Sequence, residues 1–232
     1  MTQNNKLQPA KHKSRKHLHR KKINTESVHV ARAAKLIRTI CSCGPIYMQP
    51  DRSRFRSLAK FLLKEVLKTD VMSLPGKRHL DNSNLQTLQG YELGQDFPLA
   101  DQVDILYHVT EDTFDSKAVS INFPSFVPAV QITSPHDATH CRIVAVAAAA
   151  NFHNYTAVIK TAHSPLIMLN RETVQPFSLN MPLPGPTNEP VFVILGISFC
   201  NAINAEAGIP TFSHTVKIIR VIEPWARLFP FG

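Results

Sequence analysis

The residues whose types and spacing chemistry could use are, in the first place, cations. Arg52, Arg56, Lys60, Lys64 and Lys68 recur every four residues along DRSRFRSLAKFLLKEVLK. On a helix, at about 100° per residue, this series makes one basic stripe that drifts slowly around the axis and suits phosphates or carboxylates. Three other groups have plainer readings. Ser198 in Gly196-Ile197-Ser198-Phe199 lacks the second glycine of a nucleophile elbow and stands inside an apolar run, as a packed strand serine does. His136 and His140 flank Asp137, but Pro135 disfavours a helix that would align them, and no third metal ligand stands at a usable spacing. Glu111, Asp112 and Asp115 lack the spacing and the glycine of a calcium loop and read as a solvated turn. No acid, base and nucleophile come together. The chain is therefore read as non-enzymatic, without a metal site or a cofactor.

The cysteines point the same way. Cys41 and Cys43 are too close for an ordinary bridge, and Cys141 and Cys200 sit in apolar runs where cysteine packs as a small hydrophobe. A reducing compartment fits them. At the far end, Trp225, Phe229 and Phe231 in EPWARLFPFG form an aromatic tail that reads as an anchor, docking either on the chain itself or on a partner.

The element that must position the cations is a helix over residues 51–68. Phe55, Leu58, Ala59, Leu62, Leu63, Val66 and Leu67 have the spacing of one buried face. Burial contributes about 1.5–3 kcal/mol per large apolar side chain, against about 0.2–0.5 kcal/mol for each like-charge step along the stripe. Packing decides the helix. A first helix is predicted from Thr25 to Ile40, with Val30, Ala33, Ala34, Ile37 and Ile40 on one face; Gly44 and Pro45 stop it, which makes a helical hairpin of residues 25–69.

Before it, residues 1–24 hold 8 Lys and Arg and no acid, the composition of a disordered basic tail. After it, residues 70–84 carry the turn signals Pro75-Gly76 and Asp81-Asn82-Ser83-Asn84 and read as a linker. From Leu85 onwards the pattern is short runs rich in Val, Ile and Phe between turn residues. Strands are predicted at 85–93, 103–109, 118–123, 129–133, 141–150, 156–161, 166–169, 174–179, 191–200 and 215–222. VFVILGISF is apolar throughout, as a central strand covered on both faces is, whereas the alanines of AVAAAA suit either a short helix or close sheet packing. With no long helical pattern between strands, the fold class is α+β, mainly β: an N-terminal helical hairpin, then an antiparallel β-sandwich over 85–222 and the aromatic tail 223–232.

The segments ARAAKLIRT, SRFRSLAKFLLKEVLK, LQTLQGYEL, INFPSFVPA, ATHCRIVAVAAA and VFVILGISFCNAIN, in this order, resemble an uncharacterised family of Bacteroidota proteins of about 200 residues. That resemblance implies a helical N-terminal part followed by a β-rich domain over residues 30–222, and brings no activity, substrate or cofactor.

Charge is segregated along the chain. Residues 1–80 hold 19 Lys and Arg against 4 Asp and Glu, and residues 81–232 hold 7 against 13, so a front of +15 precedes a back of −6. The function expected is a structural or protein-interaction module whose partner is another protein or a second copy of the chain. The alternative is a nucleic-acid-binding accessory protein using the basic tail and stripe. Neither a signal peptide nor a membrane span is expected, which places the protein in the cytoplasm or in a virion or mobile element.

Overall fold

The structure, a computed structural model, describes residues 15–42, 52–93, 98–111, 118–183, 188–201 and 215–224, with the backbone alone at 15–24 and 52–55. The helices are α1 (Arg15–Cys41), α2 (Arg52–Phe61), α3 (Leu99–Gln102) and α4 (Pro128–Gln131). The strands are β1 (His108–Glu111), β2 (Ala118–Phe123), β3 (His140–Asn151), β4 (Thr156–His163), β5 (Ile167–Met168), β6 (Phe177–Pro182), β7 (Val191–Cys200) and β8 (Thr215–Ile222). They form two antiparallel sheets, one of three strands in the order β1-β2-β6 and one of five in the order β4-β3-β7-β8, with β5 also paired to β3. The protein is mainly β.

The five-stranded sheet is built on the ladder between β3 and β7, which runs from His140 opposite Cys200 to Ala149 opposite Val191. Successive side chains of a strand point to opposite faces, and both faces are covered. Val144, Val146, Ala148 and Ala150 join one core with Ala34 and Ile37 of α1 and Leu58 of α2. Ile143, Ala145, Ala147 and Ala149 join a second core with Ile121, Phe123, Leu179 and Met181 of the three-stranded sheet. Every residue of β7 is buried, which is why its sequence is apolar without alternation.

The alanine run is strand, although alanine is a weak strand former. The reason lies in its neighbours. Ala148 stands opposite Phe192 and Ala145 opposite Leu195, so small residues on β3 make room for large ones on β7. Phe192 also meets Phe152 edge to face at a ring separation of 5.9 Å.

Three predicted strands take other forms. In place of a strand over 85–93, Leu85–Leu88 is a 3-10 turn whose preceding Asn84 accepts a hydrogen bond from the Gln86 N–H at 3.0 Å. Leu85 and Leu88 are both buried at a spacing of three, not two. Only the end of that run reaches the sheet, where Gly90, at φ 88°, and Leu93 donate to the carbonyls of Ile218 and Val216. In place of a strand over 129–133 there is α4, opened by Pro128 in its first turn, with the Val127 N–H bonded to the Gln131 side chain at 3.0 Å. Over 103–109, Val103 makes a single bridge to Ile132, and strand structure begins only at His108. α1 starts well ahead of Thr25, because no glycine or proline interrupts residues 15–40 and a helix anchored by packing extends readily through such a run.

α1 and α2 pack against each other and against the sheet, and the connection over 43–51 lies outside the described residues. α2 continues without a break into a π-helical turn, Leu62–Val66, and a 3-10 turn, Leu67–Thr69. Residues 70–84 carry the chain back along α1, with Leu80 fully buried in the first core. Arg220 Nε on β8 meets Glu111 Oε1 on β1 at 2.7 Å, tying the two sheets together at one edge. Among the described residues no helix is long and apolar enough to cross a membrane.

The pairing of small with large residues can be tested by overpacking. Ala148→Leu pushes a branched side chain against Phe192 and is expected to lower stability by about 1–3 kcal/mol in urea unfolding.

Candidate functional site

Leu58, Leu62 and Val66 of α2 and its π turn are fully buried, and this inward row dictates where the cations go. A step of four residues overshoots a turn by about 40° in an α-helix, and falls short of one by roughly as much in a wider π turn of about 4.4 residues. The π turn at Leu62–Val66 therefore offsets part of the drift beyond Lys60, while the step from Arg56 to Lys60 stays that of an α-helix. Leu58, Leu62 and Val66 stay inward, and the cations stay outward.

Arg56, Lys60, Lys64 and Lys68 are all exposed. Lys68 bonds to Glu65 one turn earlier. Arg56, Lys60 and Lys64 have no ion pair with any carboxylate among the described residues. Two carboxylates of the β part hold other cations: Glu92 lies 3.2 Å from Lys217, and Glu111 holds Arg220. Arg52 lies in the first turn of α2, and its side chain is outside the described residues, as are Trp225, Phe229 and Phe231. Arg32 and Lys35 on the outer side of α1 are exposed as well, so the helical layer is basic across both helices.

Beneath this surface a set of polar groups fastens α1 to the 70–84 segment and to the turn between β3 and β4. Glu26 on α1 accepts from the Gly76 N–H at 2.6 Å and from Arg78 Nε at 3.1 Å. Burial works to raise the Glu26 carboxyl, but the Arg78 side chain and the N–H groups of Gly76 and Arg78 outweigh it and hold the group below its ordinary value. Asp70 is buried, and its carboxylate accepts from the N–H groups of Met72, Ser73 and His79 at 3.1, 3.0 and 2.9 Å. There too burial is outweighed, first by the His79 N–H, and the carboxyl stays low.

His29 completes the set. Its Nε2 accepts from the Leu80 N–H at 3.3 Å, which leaves the proton on Nδ1, where it donates to the Tyr155 hydroxyl. Arg32 lies over the Tyr155 ring at 5.6 Å. Tyr155 has a φ of 55°, uncommon for a residue with a side chain. A proton on Nε2 would set two donors against each other. Burial lowers the His29 pKa, and His79 and Arg32 lower it further against an opposing pull from Asp81.

The remaining sequence candidates stand apart from this layer. Ser198 is buried in β7 and donates to the Arg142 carbonyl at 3.4 Å. His136 and Asp137 are a solvated pair at 3.2 Å, and His140 Nδ1 lies 2.8 Å from the Thr139 hydroxyl. Burial pushes the Cys141 thiol up to about 12 and raises Cys200 as well, so both stay protonated at neutral pH. Among the described residues no group of three or more His, Cys, Asp or Glu is placed to hold a metal ion. A groove of about 480 Å³ runs along residues 165–177, and Glu172 alone of its lining residues is an acid or a base.

Sequence reasoning missed the His29–Tyr155 contact, which spans 126 positions of sequence and leaves no local pattern. It also missed Val71, Met72 and Leu74, three exposed apolar residues in the segment read as a linker. A usable signal was present there, since a linker has no need of such side chains.

No family model matches the chain, and neither does any curated protein or solved structure.

The polar set predicts an acid sensitivity. The unfolded His29 takes up its proton near pH 6.5, and the folded one only at lower pH, so its contribution is present above pH 6.5 and is lost as the pH falls below it. Between pH 7 and pH 5 the melting temperature of the wild type is expected to fall more steeply than that of His29→Gln. Glu26 and Asp70, both held low, titrate below this window.

Proposed function

We propose that the protein is a non-catalytic interaction module. In this reading the two sheets act as a sandwich that serves as scaffold, and the two N-terminal helices act as a hairpin whose outer face docks an anionic partner. The observation that carries it is the row of Arg56, Lys60 and Lys64, exposed and without carboxylate partners among the described residues. The π turn supports it, because its wider step limits how far Lys64 swings away from Lys60. Four like-charge steps oppose the helix by about 0.2–0.5 kcal/mol each, a burden that an anionic partner relieves.

A second reading takes the partner to be nucleic acid. The observation that favours it is the further 8 Lys and Arg in residues 1–24 of the same chain, since phosphate affinity grows with the number of cations engaged.

Both readings pass through the same side chains. Arg56→Gln/Lys60→Gln/Lys64→Gln is expected to elute from an immobilised polyanion such as heparin at clearly lower salt than the wild type. Unchanged elution would count against the docking face. With a labelled duplex, the triple variant should also flatten the log–log salt dependence of binding by about 2–3; a wild type that fails to bind the duplex removes the second reading alone.

A further inference from the structure

The row of cations leads to an apolar tip. Beyond Lys68 and Thr69 the chain turns at Asp70, and the next side chains, Val71, Met72 and Leu74, are 86%, 87% and 70% exposed. Pro75 and Gly76, with φ 90°, turn the chain back, and Lys77 on the return is exposed. Three apolar side chains thus project between Lys68 and Lys77, with Lys64 one turn behind.

The tip is held in shape from below. Asp70 is 2% exposed, and its carboxylate bonds the N–H groups of Met72, Ser73 and His79. The Gly76 and Arg78 N–H groups go to Glu26, the Lys77 N–H to the Leu74 carbonyl at 2.8 Å, and the Leu80 N–H to His29. These bonds fix the turn between Asp70 and Leu80, so its apolar side chains are presented without a further ordering cost.

Resting on the reading of the basic face as a docking surface, we propose that its partner is the surface of an anionic lipid bilayer. Val71, Met72 and Leu74 enter the acyl boundary, and Lys64, Lys68 and Lys77 meet the headgroup phosphates and carboxylates. A stable protein interface buries about 1,200–2,000 Å², of which three side chains on one turn supply only a part. A bilayer asks for less, since a few inserted apolar groups and a basic patch reinforce each other where either alone holds weakly.

The test uses the full-length chain and sedimentation with vesicles of phosphatidylcholine alone or with about a third phosphatidylserine. The wild type is expected to bind the anionic vesicles and not the neutral ones. Val71→Ser/Met72→Ser/Leu74→Ser should weaken that binding by about 100-fold while leaving retention on heparin and the melting temperature unchanged. Lys64→Gln/Lys68→Gln/Lys77→Gln should weaken both. In a Trp225→Phe background, Met72→Trp emission should shift to the blue on anionic vesicles. Heparin retention without vesicle binding overturns this inference and leaves the docking face standing; loss of neither by the lysine variant removes both. Vesicle binding indifferent to the serine variant, or a serine variant that changes the oligomeric state instead, also overturns it.

Discussion

The structure depends on a central ladder that must be dry on both sides. Ten residues of β7 are buried without exception, and the facing residues of β3 are nearly so. Neither strand has a polar face to turn to water. Two separate layers are therefore required, the helices on one side and the three-stranded sheet on the other. Each buried aliphatic or aromatic side chain contributes about 1.5–3 kcal/mol, so leaving either face uncovered would forfeit more than a domain's net stability.

The basic surface follows from that requirement. Because Leu58, Leu62 and Val66 are drawn onto the sheet, whatever lies opposite them faces solvent, and the sequence places Arg56, Lys60 and Lys64 there. The π turn is the local adjustment that keeps the inward row in register with the sheet. The outward position of the cations comes with it, since both rows share one backbone. A packing demand on one face has thereby ordered the electrostatics of the other.

The polar contacts of α1 with the 70–84 segment have a different task, which is to fix direction. Apolar packing tolerates sliding, whereas Glu26 on the Gly76 and Arg78 N–H groups, and His29 between Leu80 and Tyr155, are satisfied in one arrangement only. Buried carboxylates paired in this way are costly to disturb. They turn what reads as a linker into a shaped loop and hold its apolar tip outward.

Much of this was legible in the residues. Period-four apolar spacing announced α2, the unbroken run at 191–200 announced a strand covered on both faces, and the every-fourth-residue cations announced a row, because local spacing alone decides these. The β-rich class followed from short apolar runs between turn residues. Tertiary structure decided the rest. The alanines of β3 became strand because Phe192 and Leu195 of β7 needed room beside them, Leu85–Leu88 became a 3-10 turn because both leucines reach one core, and Arg56, Lys60 and Lys64 have no carboxylate partner among the described residues, where Glu92 and Glu111 meet Lys217 and Arg220 instead. These outcomes rest on contacts between residues far apart in the chain, and no local pattern encodes which distant side chain will be the neighbour.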